Sequence, residues 1–406
     1  MRVLPPSADL SIRHCALAAL LLTVFQVALT FWVAQRFRVP VAGKFAERGF
    51  PPPNAYERIC VADCLWFANI ARQGYHSSIP PAHIQEGESN VAFFPAFPLL
   101  VRATHSILPV SSWPAASLLG SQIATAVFWL VLLLFLDRWA VPPKVAAFVV
   151  FAILSHPSSL FMVAGHSESL YMAGIAGLLW CGETAPAWGA IPGAILTATR
   201  LLGFPFLLYP ALRGVRPRAS QRFGWIMMAA GLCLGVGAFF LYCHMRFGVW
   251  DLYLQTQHLG WGHVADYWFF LRSASYRTSL PFRLPVLASA VVLPIMALME
   301  CRIGAKDTDR ERVWTRRALL LTAVAEFYLT GAGGARTDRV STPFVAFTRY
   351  TLPIGLLLVL VLADQLRVLK PSPRAMRIAA WSVGFVCLGS LIFLNVLRET
   401  VTHLRG

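Results

Sequence analysis

Apolar runs of about 18 to 22 residues, almost free of charge, recur along the whole chain. A helix rising 1.5 Å per residue needs about that length to cross roughly 30 Å of hydrocarbon. Such runs must be helical in lipid, because each unpaired backbone group there costs several kcal/mol. The pattern predicts helices at 15–34, 116–136, 145–163, 167–182, 187–210, 224–245, 283–300, 318–334, 349–365 and 377–396. Two longer connections, 35–115 and 246–282, separate them, and neither reads as a soluble domain, so 1–406 is expected to be one all-α, polytopic membrane domain. Within the first connection, Phe93 to Leu108 is apolar but carries Pro95, Pro98, Arg102 and His105, which predicts a segment lying along the interface.

The connections carry a topological signal. Arg213, Arg216, Arg218 and Arg222 crowd one short loop; Arg302, Lys306, Arg310, Arg312, Arg316 and Arg317 crowd another; Arg367, Lys370, Arg374 and Arg377 crowd a third. The positive-inside rule puts all three in the cytoplasm. With the loop at 137–144 also inside, three apolar runs would then lie between two cytoplasmic loops, and an odd number cannot return to the same side. The run at 187–210 resolves the parity, since Pro192, Gly193, Gly203 and Pro205 interrupt it and Arg200 stands in its middle. It is expected to form two half-helices that enter and leave on the cytoplasmic side and line a cavity. The two long connections then face the opposite side, even though the first carries Arg36, Arg38, Lys44, Arg48 and Arg58, because long loops obey the charge rule poorly.

Composition agrees: 57% of residues are hydrophobic and 13% charged, more apolar surface than a soluble core of this size can hide. The net charge of +16 sits in short loops rather than on one compact face, which argues against nucleic acid as a partner. The eight cysteines are scattered, mostly inside apolar runs, and show no disulfide framework. Cys60 and Cys64 with His76 and His83 follow no common zinc spacing. The first run lacks small residues at a cleavage site and reads as an uncleaved helix. Trp250, Tyr253, Trp261, Tyr267, Trp268, Phe269 and Phe270 in the second long connection read as a headgroup-level aromatic belt.

Candidate chemistry lies in polar residues that the hydrocarbon would reject. Asp63 stands in Val-Ala-Asp-Cys-Leu-Trp-Phe-Ala-Asn-Ile-Ala-Arg-Gln-Gly-Tyr, at an interface helix ending at Gly74, where a carboxylate could take a proton from an acceptor hydroxyl. Either Asp63 or Glu88, shortly before Ala92, could also be merely solvated. Glu168, Arg200, Glu326 and Arg349 fall inside apolar runs, so each needs a partner or a cavity. Arg200 with Glu326 is the structural pair expected for the deeper two, whereas an arginine at the outer face could clamp a phosphate.

Asp63 with Ile70-Ala71 and Gly74-Tyr75, followed by Ala92-Phe93-Phe94-Pro95-Ala96-Phe97-Pro98-Leu99-Leu100, resembles the first luminal loop of the PIG-V mannosyltransferase family. His156 to Tyr171, Ala198-Thr199-Arg200 with Gly203, and Phe347-Thr348-Arg349-Tyr350 are similar to three further family blocks, in the same order. The chain departs from the family at Ala62 and Cys64, where Trp and Ala usually flank the aspartate. The resemblance implies a GT-C glycosyltransferase-like bundle of about 10–11 transmembrane helices with a long first non-cytoplasmic loop. It implies an inverting transfer of a sugar, mannose in the family, from a polyprenyl-phosphate donor to a lipid or glycan acceptor, in a bacterial plasma membrane with the site facing outward. Asp63 would be the base, Glu88 and Glu168 site carboxylates, and Arg200, Arg349, Tyr350 and His166 would meet the donor phosphate. A divalent metal ion gathered by Asp63, Glu88 and Glu168 stays open. The alternative is a transporter or flippase of lipid-linked sugars, for which intramembrane Arg and Glu and a broken helix are equally natural. A scaffold without activity would leave the four ordered blocks without a role.

Overall fold

The computed structural model describes residues 12–36, 42–60, 63–82, 89–215, 219–271, 280–333, 335–336, 343–369 and 384. The architecture is helical. After α1 (Ile12–Arg36), the first long connection folds into three short helices, α2 (Ala42–Glu47), α3 (Asp63–Gln73) and α4 (Ala96–Ile107). Then come α5 (Trp113–Arg138), α6 (Pro143–Leu154), α7 (Glu168–Thr184), α8 (Ala190–Thr199), α9 (Leu208–Gly214) and α10 (Ala219–Phe247). The short α11 (Leu252–Gln255) precedes α12 (Leu280–Lys306), α13 (Arg310–Gly333) and α14 (Pro343–Leu369). The two-residue strands His263–Val264 (β1) and Ala335–Arg336 (β2) pair antiparallel, with His263 opposite Arg336. The helix expected at 377–396 lies outside the described residues, apart from Gly384.

Among the described residues, five helices are long and apolar enough to cross a bilayer: α1, α5, α10, α12 and α14. Their packing is that of helices solvated by lipid. On α1 the small and polar residues Cys15, Ala19, Thr23 and Gln26 face inward, while Leu17, Leu20, Leu21, Val24 and Phe25 are exposed. Gln26 donates to the Ser159 carbonyl at 2.6 Å and accepts from Trp129 Nε1 at 3.2 Å, which fixes α1 on α5 by polar contacts. On α10, Gly231 and Gly235 meet the backbone of α8, whereas Phe223, Ile226, Leu234 and Met245 are exposed.

The described basic residues of the three loops gather at one end of the bundle. Arg213 lies 2.9 Å from Glu311, Arg312 donates to Asp364 at 2.7 Å and to the Trp139 carbonyl at 2.8 Å, and Arg367 donates to Asp364 at 3.0 Å. Fully buried Arg316 bonds Glu300 at 2.7 Å, Asp307 at 2.9 Å and Asp364 at 2.5 Å, tying α12, α13 and α14 together. The N-termini of α5, α7 and α14 point to the other end.

The stretch at 187–210 is a hairpin whose two feet stand at the basic end. Going up, α8 packs on α7, with Leu196 against Gly174 and Pro192 against Gly177. The helix stops at Arg200, whose backbone is extended, and the apex reaches Glu168 at the start of α7. The chain then descends through a 3-10 stretch, Leu201–Leu207, and α9, until Tyr209 meets Trp225 and Arg213 lies 3.7 Å from Glu183 at the end of α7. Gly203 allows the turn to close, because a Cβ there would lie 3.0 Å from the Leu196 carbonyl oxygen. The parity argument required this return.

Candidate active site

Each polar residue of the site stands at the end of an element. Asp63 opens α3, where a carboxylate suits the positive end of the helix. The same helix ends at Gly74, whose φ of +82° lets its N–H reach the Ile70 carbonyl at 2.8 Å. The buried face of α3 includes Trp66 and Phe67, which pack on Phe93, while Phe67 also meets Phe97 with ring centres 4.9 Å apart. Tyr75 donates to the Phe93 carbonyl at 2.8 Å, and Phe94 packs on Phe239 and Tyr253. The apolar block 92–97 thus seats the helix that carries Asp63.

From the other side come Glu168 at the start of α7, Arg200 at the hairpin apex, and Arg349 in the first turns of α14. Arg349 Nη1 donates to Asp63 Oδ2 at 2.5 Å while its Nε donates to Glu168 Oε1. Arg200 Nη2 lies 2.7 Å from the same Glu168 oxygen, and its Nε and Nη2 donate to Ser167 Oγ at 3.0 and 2.9 Å. One carboxylate therefore holds two guanidinium groups, and one guanidinium joins two carboxylates. Tyr350 lies beneath Arg200, with its ring centre 5.0 Å from the guanidinium carbon, and Phe161 lies 5.2 Å from that of Arg349. His166 is buried, with Nδ1 2.9 Å from the Ala164 carbonyl. Glu88 and His83 lie outside the described residues.

These groups form one wall of a cavity of about 740 Å³. Asp63, Arg200, Arg349, Ser167 and Tyr350 face it, whereas Phe67, Phe93, Phe94, Leu202, Tyr253 and Trp261 supply an apolar opposite surface. The carboxylates differ in reach: the Asp63 side chain is 22% exposed and lines the cavity, while that of Glu168 is 3% exposed and sits behind the two arginines. Burial alone would raise the pKa of Asp63, but the Arg349 guanidinium, aided by His166, outweighs it and holds the carboxyl below its ordinary range. Such a cavity can take a ligand with an anionic head and an apolar body, and presents an ionised carboxylate to it. A divalent ion fits these residues poorly: Asp63 and Glu168 are already joined by Arg349, and no group of three or more ligating side chains gathers among the described residues.

Comparison with protein-family models, curated proteins and solved structures returns no match.

Several sequence expectations change. Arg200 does not pair with Glu326, because the hairpin turn lifts it to the start of α7; Glu326 bonds Tyr171 Oη at 2.8 Å, and that hydroxyl also meets the Leu202 carbonyl. The cysteines were expected to show no disulfide framework, but Cys60 and Cys64 form a disulfide. Their i, i+4 spacing, across the start of a helix, was the available signal. Of the residues read as an aromatic belt, Trp250, Tyr267 and Trp268 are exposed, but Tyr253 and Trp261 line the cavity and Phe269 is buried. Ser167, the hydroxyl that aligns Arg200, was not singled out from the sequence.

Proposed function

We propose that the chain is an integral-membrane glycosyltransferase that moves a sugar from a polyprenyl-phosphate donor to a lipid or glycan acceptor. The observation that carries this reading is the convergence, at one end of the bundle, of Asp63, Glu168, Arg200 and Arg349, which come from the four separate segments that resemble the PIG-V family. In this reading the donor phosphate meets Arg349 and Arg200, and its isoprenoid chain follows the apolar wall past Phe94 and Tyr253. Asp63 accepts the proton of the acceptor hydroxyl, that oxygen attacks the anomeric carbon, and the bond to the phosphate breaks with the electron pair leaving on the phosphate oxygen. A single displacement inverts the anomeric centre. Glu168 keeps both guanidinium groups in place.

A bacterial plasma membrane follows from the resemblance, and an outward-facing site in it is supported by two features. The basic loops lie at the far end of the bundle, and the disulfide beside Asp63 belongs in an oxidising compartment. The bundle of about 10–11 transmembrane helices is part of the same proposal, with α6, α7, α13 and the two legs of the hairpin, α8 and α9, adding to the five long apolar helices. A transporter or flippase would need the opposite end to open, and there Arg316 and its three carboxylates join α12, α13 and α14.

The test is transfer of labelled sugar from polyprenyl-phosphate mannose, with membranes of the source organism as acceptor pool. Wild-type protein is expected to yield a labelled product and Asp63→Asn almost none. Near-normal transfer by Asp63→Asn removes Asp63 from the role of base, and donor that merely changes leaflet without product favours transport.

A further inference from the structure

The residues on either side of Asp63 in the chain are held by one covalent link. Upstream of α3, Glu57 bonds the Asn54 backbone N–H at 3.0 Å and accepts from Ser112 Oγ, the hydroxyl that caps α5. Tyr56 donates to Gln122 of α5 at 3.0 Å. This anchored segment ends at Cys60, and the disulfide to Cys64 passes its rigidity to the first turn of α3, where Asp63 stands. Both cysteines are 0% exposed. Cys64 has a second contact: Gly165, at φ +76°, lies so close that a Cβ there would fall on the Cys64 sulfur. Gly165 itself is fixed to α5, its N–H donating to Ser121 Oγ at 3.0 Å and its carbonyl accepting from Ser117 at 3.1 Å, and it leads directly into His166, Ser167 and Glu168.

We propose that the Cys60–Cys64 disulfide is a positioning element of the site, setting Asp63 against Arg349 and seating the segment that carries Glu168. It fixes Cys64, one of the two positions beside the aspartate where this chain departs from its family resemblance, by a covalent link. The charged and titratable groups that act on Asp63 are Arg349 from α14 and Glu168 and His166 from the start of α7; Glu57 lies beyond the disulfide, and Arg102 of α4 bonds the Ala71 carbonyl at the far end of α3. The part of the proposal that concerns catalysis rests on the transferase reading above.

The experiment compares the full-length protein in lipid nanodiscs with Cys60→Ser/Cys64→Ser. Peptide mass spectrometry of the wild type should show the two cysteines joined; two free thiols would overturn the proposal. The pH midpoint at which a water-soluble carbodiimide modifies Asp63 is read in both proteins, since only the protonated carboxyl reacts. It should rise in the variant as the carboxylate leaves Arg349, and the acidic limb of kcat should rise with it. A loss of about a hundredfold in kcat, with donor KM little changed, is expected from a displacement on the order of 1 Å. A staple that only stabilises the fold would lower the unfolding temperature and leave both midpoints unmoved, which overturns the proposal. If Cys60→Ser/Cys64→Ser does not fold, Cys60→Ala/Cys64→Ala fills the apolar site and carries the same readouts. A moved midpoint without any wild-type transfer defeats the transferase reading alone, whereas transfer with an unmoved midpoint defeats the positioning role alone.

Discussion

Arg349 serves two carboxylates with different edges of one planar group, which a lysine ammonium cannot do. Arg349→Lys is therefore expected to lose about 1.5–3 kcal/mol of charge-assisted bonding, read as a roughly ten- to hundredfold fall in kcat/KM. In the proposed transfer, Asp63 would carry the pH dependence. Because Arg349 holds its carboxyl below the ordinary range despite burial, transfer that needs ionised Asp63 should persist as pH falls past the usual carboxylate value of about 3.9. Arg349→Gln removes the lowering charge and leaves the burial, so the acidic limb should move upward; a limb that stays in place would dissociate Asp63 from the rate. Glu168, Arg200 and Arg349 were legible in the sequence because an ionisable residue inside an apolar run is costly enough to stand out, whereas Asp63 was marked by its place on an interface helix and by the resemblance. Their pairing was not legible. Arg200 could have met Glu326 or Glu168, and only the height of the hairpin turn decides for Glu168.

At the scale of elements, the hydrophobic pattern placed the long helices well because run length follows directly from bilayer thickness. The hairpin at 187–210 was legible for a different reason: Pro192, Gly193, Arg200, Gly203 and Pro205 in one run contradict a single straight crossing. What holds the hairpin was not foreseen. Gly231 and Gly235 of α10, one turn apart, let its backbone approach α8 so closely that a Cβ at either position would overlap the Ala190 or Ala194 carbonyl. Gly231→Val and Gly235→Val should therefore push the two helices apart at about 1–3 kcal/mol each, as overpacked contacts do. Gly237, on the same helix, has open space where its Cβ would stand. Gly237→Val is the control and should leave the unfolding temperature in detergent unchanged, so equal losses from all three would refute the close-packing account.

Across the whole molecule, the ion pairs among the described residues fall into two groups at opposite ends, one facing a cavity and one sealed. In the sealed group Arg316 has no exposure and meets Glu300, Asp307 and Asp364. Arg316→Met would leave three buried carboxylates without their shared partner, a change that typically costs about 3–5 kcal/mol and should appear as a large drop in unfolding temperature with the cavity residues untouched. For Asp307, at the turn between α12 and α13, burial alone would raise the pKa, but the Arg316 hydrogen bond and neighbouring charge bring it below its ordinary range. Its contribution is complete above the unfolded carboxylate value of about 3.9 and is lost as pH falls through the lower folded value. The arrangement also fixes how the chain sits in a membrane if basic loops stay inside. Gly214 ends α9 at the basic end, and Ile79, exposed in the first long connection, belongs to the site end. In a background without other reactive cysteines, Gly214→Cys should react with an impermeant maleimide only from the cytoplasm and Ile79→Cys only from outside. The reverse pattern would put Asp63 in the cytoplasm, where the reducing environment would oppose the Cys60–Cys64 bond and a cytoplasmic sugar donor would have to be sought instead.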